Sequence, residues 1–395
     1  MLSIGIDVSK GKSTVCGMKP GGEIVYAPFE VQHTREGMLE LVSLLRSSGE
    51  EVRAVLESTG SYHCPVVAAL LENGIFVSVV NSLRMKRFCS QSIRKVKTDR
   101  IDAMQIALYG LDYWQELQPT KLPEDTYREL QLLARQYYQM TSLLIKAKVD
   151  FNAICDQVLP GMQELMSDHA GRHKLSDFVL RYHHTTHILE MGETRFRKDY
   201  CKWAEKKGYR NCERMAAHIF ATAQNGIPVL PNAPSTQIVI TEAIRVLHTV
   251  EASRDAILTQ MQALAKTLPE YSLVREMPCI GDTLAPRLIA EIGDVRRFHS
   301  KRALIAYAGI DAPPYQSGKF CANNRHISKR GNRYLRKTGY EVMQSYVMHK
   351  PANDPIFTFI EKKRSEGKCG KLAMVAGLNK FLRVYYGKVT ELYRS

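Results

Sequence analysis

The chain contains no C-x-x-C pair. Its nine cysteines, Cys16, Cys64, Cys89, Cys155, Cys201, Cys212, Cys279, Cys321 and Cys369, lie singly. An odd, dispersed set excludes a disulfide framework or a zinc ribbon and fits reduced thiols. No apolar run approaches the roughly 20 residues of a membrane span, and the opening MLSIGIDVSK lacks the charged start and apolar stretch of a secretion signal. These absences predict a soluble, cytoplasmic protein. Acid is also scarce, with 40 Asp+Glu against 55 Lys+Arg, a net charge of +15. Such an excess attracts polyanions over long range, nucleic acid first. A hydrophobic content of 45% is ordinary for a folded protein and excludes a largely disordered basic tail.

At roughly 100–200 residues per domain, the 395 residues predict two or three domains. In the first, Leu2, Ile4, Ile6 and Val8 alternate with Ser3, Gly5 and Asp7, the pattern of a half-buried strand ending in an acid. Hairpin partners over 13–18 and 23–31 follow across Pro20-Gly21-Gly22, then a helix at 34–47, a strand at 51–57, a helix at 62–73 and a strand at 75–80. Hairpins followed by βαβ units predict an α/β sheet of mixed strand directions over 1–122.

The middle, 123–270, reads differently. Leu130, Leu133, Tyr137, Met140, Leu144, Ala147, Phe151, Ile154 and Val158 recur at 3,4 spacing and stop at Pro160. Ala243, Leu247, Val250, Ile257, Met261, Leu264 and Leu268 keep the same phase, with Arg254 interrupting one seam position. Both runs are coiled-coil patterns, suited to pairing either with each other or with another subunit. A basic, mostly helical third region occupies 271–395.

Four acids form the first chemical constellation. Asp7 and Glu57 end predicted strands, where the catalytic groups of open α/β sheets collect. Asp99 and Asp102, in KTDRIDA, share one face of a helix with Thr98 as N-cap. Four converging carboxylates repel one another unless cations neutralise them, and hard cations such as Mg²⁺ take such ligands, two of them clamping a phosphoryl displacement. Arg84, Lys86, Arg87, Arg94, Lys95 and Lys97 precede the helical pair with no intervening acid, a basic run suited to a phosphate backbone.

The second constellation, MPCIGDTLAPRLIAEIGDVRRF over 277–298, has the shape of a helix-hairpin-helix in which Gly281 lets backbone N–H groups approach a phosphate. In the third, Ser317 lies in a Pro/Gly-containing loop upstream of Arg325, Lys329, Arg330, Arg333, Arg336 and Lys337. A serine there suits attack on a phosphodiester whose charge the cations stabilise. His169 and His173, and likewise His183 and His187, have i,i+4 spacing, but no third ligand accompanies either pair, so the sequence assigns neither to a metal.

GIDVSK, LESTG and KTDRIDA together resemble the RuvC-like DEDD domain of the insertion sequence 110 family of transposases. PCIGDTLAPRLIAEIGD, RFHSKRALIAYAGI, YQSG and ISKRGNRYLRK resemble that family's C-terminal transposase domain. The resemblance implies an RNase H-like N-terminal domain, a coiled-coil insertion and a helical C-terminal domain bearing a catalytic serine, which falls on Ser317. It further implies excision and insertion of a mobile element through Mg²⁺-dependent cleavage, with donor and target DNA chosen by pairing to a structured non-coding guide RNA. It also implies a dimer or tetramer in which the DEDD set of one subunit meets the serine of another. The alternative reading of the same acids is a RuvC-like junction resolvase or nuclease with water as nucleophile. An actin-like ATPase, toward which GIDVSKGKST points, lacks its second Asp-x-Gly phosphate loop. A non-catalytic nucleic-acid scaffold would bind without needing the four acids.

Overall fold

The structure, a computed structural model, describes residues 1–58, 60, 62–90, 98–120, 124–169, 172–210, 213–313, 316–317, 320–321 and 326–394. The chain divides into two compact units, Met1–Leu122 and Pro123–Ser395.

The first unit is built on strands β1 (Leu2–Val8), β2 (Lys12–Lys19), β3 (Glu23–Gln32), β4 (Val52–Glu57) and β5 (Phe76–Val80), with helices α1 (Arg35–Arg46), α2 (Cys64–Glu72), α3 (Ser82–Cys89) and α4 (Asp99–Asp112). The sheet order is β3-β2-β1-β4-β5. Strands β1 to β3 form an antiparallel meander, while β4 runs parallel to β1 and β5 parallel to β4. The mixed strand directions are those the sequence pattern predicts, and the order is the RuvC-like, RNase H-like arrangement that the family resemblance implies.

Strand β1 departs from expectation in one respect: it is covered on both faces. Leu2, Ile4, Ile6 and Val8 pack with Leu41, Val42 and Leu45 of α1 and Val66, Val67 and Leu70 of α2. On the other face, Ser3 is fully buried and its hydroxyl donates to the Ala107 carbonyl of α4 at 2.7 Å. Small residues at positions 3 and 5 mimic the polar alternation of a solvent-facing strand. Here their smallness lets a helix backbone lie directly on the sheet.

In the second unit, the helices are α5 (Asp125–Val158), α6 (Met162–Leu165), α7 (Lys174–Tyr182), α8 (Thr185–Glu190), α9 (Glu193–Lys206), α10 (Glu213–Asn225) and α11 (Pro234–Ala265). These are followed by α12 (Tyr271–Arg275), α13 (Leu284–Ile292), α14 (Lys301–Ala308), α15 (Arg333–His349), α16 (Pro355–Ser365) and α17 (Gly370–Leu392), with the short strands β6 (Gln316–Ser317) and β7 (Phe320–Cys321) before α15.

The long helices α5 and α11 pair antiparallel and thread two cores. Leu144, Phe151 and Val158 of α5 meet Ile240, Ile244 and Leu247 of α11 under an aromatic cap of Phe178, Tyr182, Phe196, Tyr200 and Phe220. At the other end, Tyr127, Leu130, Ala134 and Tyr137 join Met261 and Ala265 in a core completed by α13, α15 and α17. Residues on both sides of position 270 therefore build this second core together. Of the two pairings the heptads allowed, this chain uses the one between its own helices. Arg254 is tolerated at the seam because its guanidinium pairs with Asp255 at 2.6 Å and with buried Glu251 at 3.5 Å. Residues off the seam, including Leu132, Ile145 and Val149 of α5, are exposed. Among the described residues no helix is long and apolar enough to cross a membrane, and the seven described cysteine side chains are all unpaired.

Candidate active site

Two glycines set the position of α4, the helix that carries the candidate acids Asp99 and Asp102. A Cβ on Gly5 would lie 2.1 Å from the Ala103 carbonyl oxygen and 2.2 Å from the Ala107 nitrogen. One on Gly110 would lie 2.2 Å from the Ser3 hydroxyl oxygen. Helix α4 thus runs antiparallel along β1, its first turn beyond Gly5 toward Asp7 and its end over Ser3. Thr98 caps it, accepting from the Ile101 N–H at 3.3 Å, so Asp99 and Asp102 occupy the first turn. Register does the rest: Ile6 pairs with Leu56 in the parallel β1–β4 ladder, which sets Asp7 and Glu57 side by side one residue further on.

All four acids are thereby carried to the carboxyl end of the central strands. Asp7, Glu57 and Asp102 are half-buried and Asp99 is exposed. The Cys89 thiol at the end of α3 reports the local field: burial pushes its pKa up, and the charges of Asp102 and Glu57 push it further. The Lys12 ammonium, raised chiefly by its 2.6 Å hydrogen bond to Glu30, also feels Asp99. The acids stand wider apart than a closed ligand set. Among the described residues, the group of three or more donor atoms lying within 4.8 Å of one another is Asp168, His173 and His248, in the other unit. A donor set made only of carboxylates fits hard divalent cations.

Arg84, Lys86 and Arg87 lie on α3 and are exposed; Arg84 reaches the Tyr109 hydroxyl. Arg94, Lys95 and Lys97 lie outside the described residues, as does Arg325.

In the second unit, Ser317 ends the two-residue strand β6, paired with Phe320 of β7. The basic segment beyond it is held by its backbone. Lys329 adopts φ 53°, its N–H donates to the Gly309 carbonyl at 2.9 Å, and Gly331 packs so tightly that a Cβ would lie 2.0 Å from the Tyr307 carbonyl oxygen. Lys329, Arg330, Arg333 and Lys337 are exposed, with Arg333 donating to the Tyr334 hydroxyl and Lys337 over the Tyr138 ring. Arg336 is different. Its guanidinium turns inward to the carbonyls of Ala308 at 2.9 Å and Gly331 at 3.1 Å, and burial lowers its pKa. It braces the turn instead of facing a phosphate.

Gly281 is exposed. A Cβ there would meet nothing, and the left-handed residue of that turn is Cys279, at φ 61°. The N-terminus of α13 is flanked by exposed Asp282, which pairs with Arg275 at 2.7 Å and so places negative charge where a phosphate was expected.

Sequence reasoning overlooked Glu291. It is buried within the second motif, where its carboxylate accepts from Asn332 at 2.8 Å and from Arg135 at 3.0 Å. Asn332 in turn caps α15, accepting from the N–H groups of Tyr334 at 2.9 Å and Leu335 at 3.1 Å. Glu291 therefore fixes the start of the basic helix. An Asn directly before an apolar helical pattern was the available signal.

The chain resembles known proteins over most of its length. Residues 4–160 match the DEDD transposase family model of IS110, described as a transposase, and residues 271–356 match the transposase IS116/IS110/IS902 family. An insertion element IS110 uncharacterized 43.6 kDa protein of Streptomyces coelicolor is 21% identical over 94% of this chain and 90% of its own length. The pilin gene-inverting protein of Moraxella bovis is 26% identical over 33% of this chain and 42% of its own. Among solved structures, Thermus thermophilus RuvC aligns over 30% of this chain and 100% of its own length, with 14% identity and a TM-score of 0.25. Two family models in their expected order, together with a relative spanning nearly the whole length, place the chain in the IS110 family of transposases, enzymes that cut and rejoin DNA.

Proposed function

We propose that this transposase moves its own element by Mg²⁺-dependent strand cleavage through a covalent phosphoserine, with target and donor DNA selected by a structured guide RNA. The observation that carries the reading is the close contact of α4 on β1, which brings Asp99 and Asp102 to the strand ends bearing Asp7 and Glu57. These four carboxylates would hold the divalent ions, which when bound supply Lewis-acid stabilisation of the phosphorane-like transition state. Ser317 provides the nucleophile. Its Oγ–P bond forms as the bond from phosphorus to the leaving DNA oxygen breaks; the serine proton is lost to solvent, and the leaving oxygen ends as a DNA hydroxyl. A second DNA hydroxyl then attacks the same phosphorus and expels the serine, so the strand is resealed with no outside energy source. Exposed Lys329, Arg330 and Arg333 hold phosphates, while base pairing to RNA reads sequence.

The acids and the serine belong to different units of the chain, and the reading joins them across a homo-oligomer. Because the heptad seam is spent within the chain, subunits associating along these helices would use off-seam residues such as Leu132, Ile145 and Val149.

The test is trapping of DNA on the protein. Wild type with element-end DNA, guide RNA and Mg²⁺ yields a denaturant-resistant adduct; Ser317→Ala yields neither adduct nor cleavage, and Asp7→Ala blocks the same step. Undiminished cleavage by Ser317→Ala would make water the nucleophile, as in a junction resolvase.

A further inference from the structure

We infer that Asp168, His173 and His248 form a second metal site, separate from the DEDD acids and selective for a borderline transition metal of the Zn²⁺ class. One donor atom from each lies within 4.8 Å of the other two. The His173 and His248 ring centroids are 4.2 Å apart. Asp168 Oδ1 is occupied by the N–H groups of Leu175 at 2.8 Å and Ser176 at 3.1 Å, which start α7. Its other oxygen, Oδ2, is buried with no hydrogen-bond partner, and so is His173 Nδ1. Burying a carboxylate oxygen and an imidazole nitrogen unsatisfied at one point costs free energy that a shared cation would remove. His248 is already oriented, its Nε2 lying 3.0 Å from the Ser176 hydroxyl, an arrangement typical of the groups that steer ligating imidazoles.

The surroundings define the metal class. Two imidazoles with one carboxylate favour Zn²⁺ and its neighbours over Mg²⁺, which prefers oxygen alone. Buried Glu251 approaches His173 Nδ1 to 3.7 Å and is the available fourth ligand, although it also faces Arg254. Two carboxylates would neutralise a divalent ion. The present spacing is wider than the roughly 3.3 Å between ligands of a closed tetrahedral site with bonds of about 2 Å, so binding draws Asp168 and His173 toward His248 of α11. The site thus acts as a clasp between α11 and the helical cap formed by α7 to α10, where neither histidine pair in the sequence had a visible third ligand.

The experiment uses the full-length chain stripped with a chelator and dialysed. Zn²⁺ is titrated in competition with a chromophoric chelator, and Co²⁺ is followed by its visible absorption. One tight equivalent is expected, with the spectrum of a low-coordinate cobalt site and a raised melting temperature. His173→Gln and His248→Gln each weaken it about 100-fold or more, His248→Cys restores a donor and retains it, and Asp7→Ala leaves it intact. Circular dichroism of each metal-free variant checks folding. Absence of a tight equivalent in wild type overturns the inference, as does an equivalent that survives both glutamine variants or disappears in Asp7→Ala.

Discussion

Gly5→Ala is expected to disable the enzyme without touching a catalytic group. The new methyl carbon would stand 2.1 Å from the Ala103 carbonyl oxygen and 2.2 Å from the Ala107 nitrogen, both backbone atoms of α4 that cannot rotate away. Restoring ordinary contact moves the helix off β1 by on the order of 1 Å, at an overpacking cost of about 1–3 kcal/mol or somewhat more. For a unit of this size that is a loss of roughly 3–6 °C per kcal/mol. The same displacement carries Asp99 and Asp102 away from Asp7 and Glu57, and a 1 Å misplacement of reacting groups costs about 100-fold in rate. Calorimetry gives the first quantity; cleavage of element-end DNA, measured well below the lowered melting temperature, gives the second. A contrasting pair sharpens the test. In Gly110→Ala the clash is with side chains at the far end of the helix, the Ser3 hydroxyl at 2.2 Å and Val55 Cγ2 at 2.9 Å, so adding Ser3→Gly should recover part of the stability. Wild-type melting and wild-type cleavage in Gly5→Ala would refute the account of how α4 is positioned.

Other substitutions separate structural from functional charge. Gly281→Ala should leave stability unchanged, since its Cβ meets nothing; a melting shift beyond about 0.5 kcal/mol would contradict the open geometry of that turn. Lys329→Ala and Arg330→Ala should each weaken DNA binding and reduce the salt slope by about 1 with no change in melting, whereas Arg336→Ala should lower stability by about 1.5–3 kcal/mol through loss of its two carbonyl bonds. The reverse pattern would mean that the roles are exchanged. Burial holds the Glu291 carboxyl above its ordinary value of 4.5 despite its Asn332 and Arg135 donors. An acid raised in the folded state contributes stability below its unfolded pKa and loses it as pH rises through the folded one. Glu291→Gln, which keeps the shape and escapes that loss, should therefore gain on wild type in melting temperature as pH rises above the ordinary carboxyl range, and a deficit that widens with pH would show that the Arg135 pair outweighs burial.

The sheet, the long helices and the start of α4 were legible because each rests on local chemistry: alternation for β1, a 3,4 seam for α5 and α11, and a capping hydroxyl at Thr98 for α4. The four acids were legible for the same reason, being tied to strand ends and to a helix start. What escaped was long-range. Ser3 and Gly5 resemble a solvent-facing edge in sequence, and only the arrival of α4, a hundred residues later, turns them into a packing surface. Arg336 belongs to a basic run and cannot be told from its exposed neighbours until the Ala308 and Gly331 carbonyls appear beside it. Glu291 and Arg135 are more than 150 residues apart, and no local pattern announces their pairing.

The sequence by itself thus determined the family, the element order, the candidate catalytic acids and the positive charge that favours a nucleic-acid partner, because residue type and short-range spacing carry all of these. The tertiary structure decided which partner the heptad seam takes, which arginine braces and which is exposed, and that Asp168, His173 and His248 meet, because each depends on distances between segments that the chain brings together only by folding.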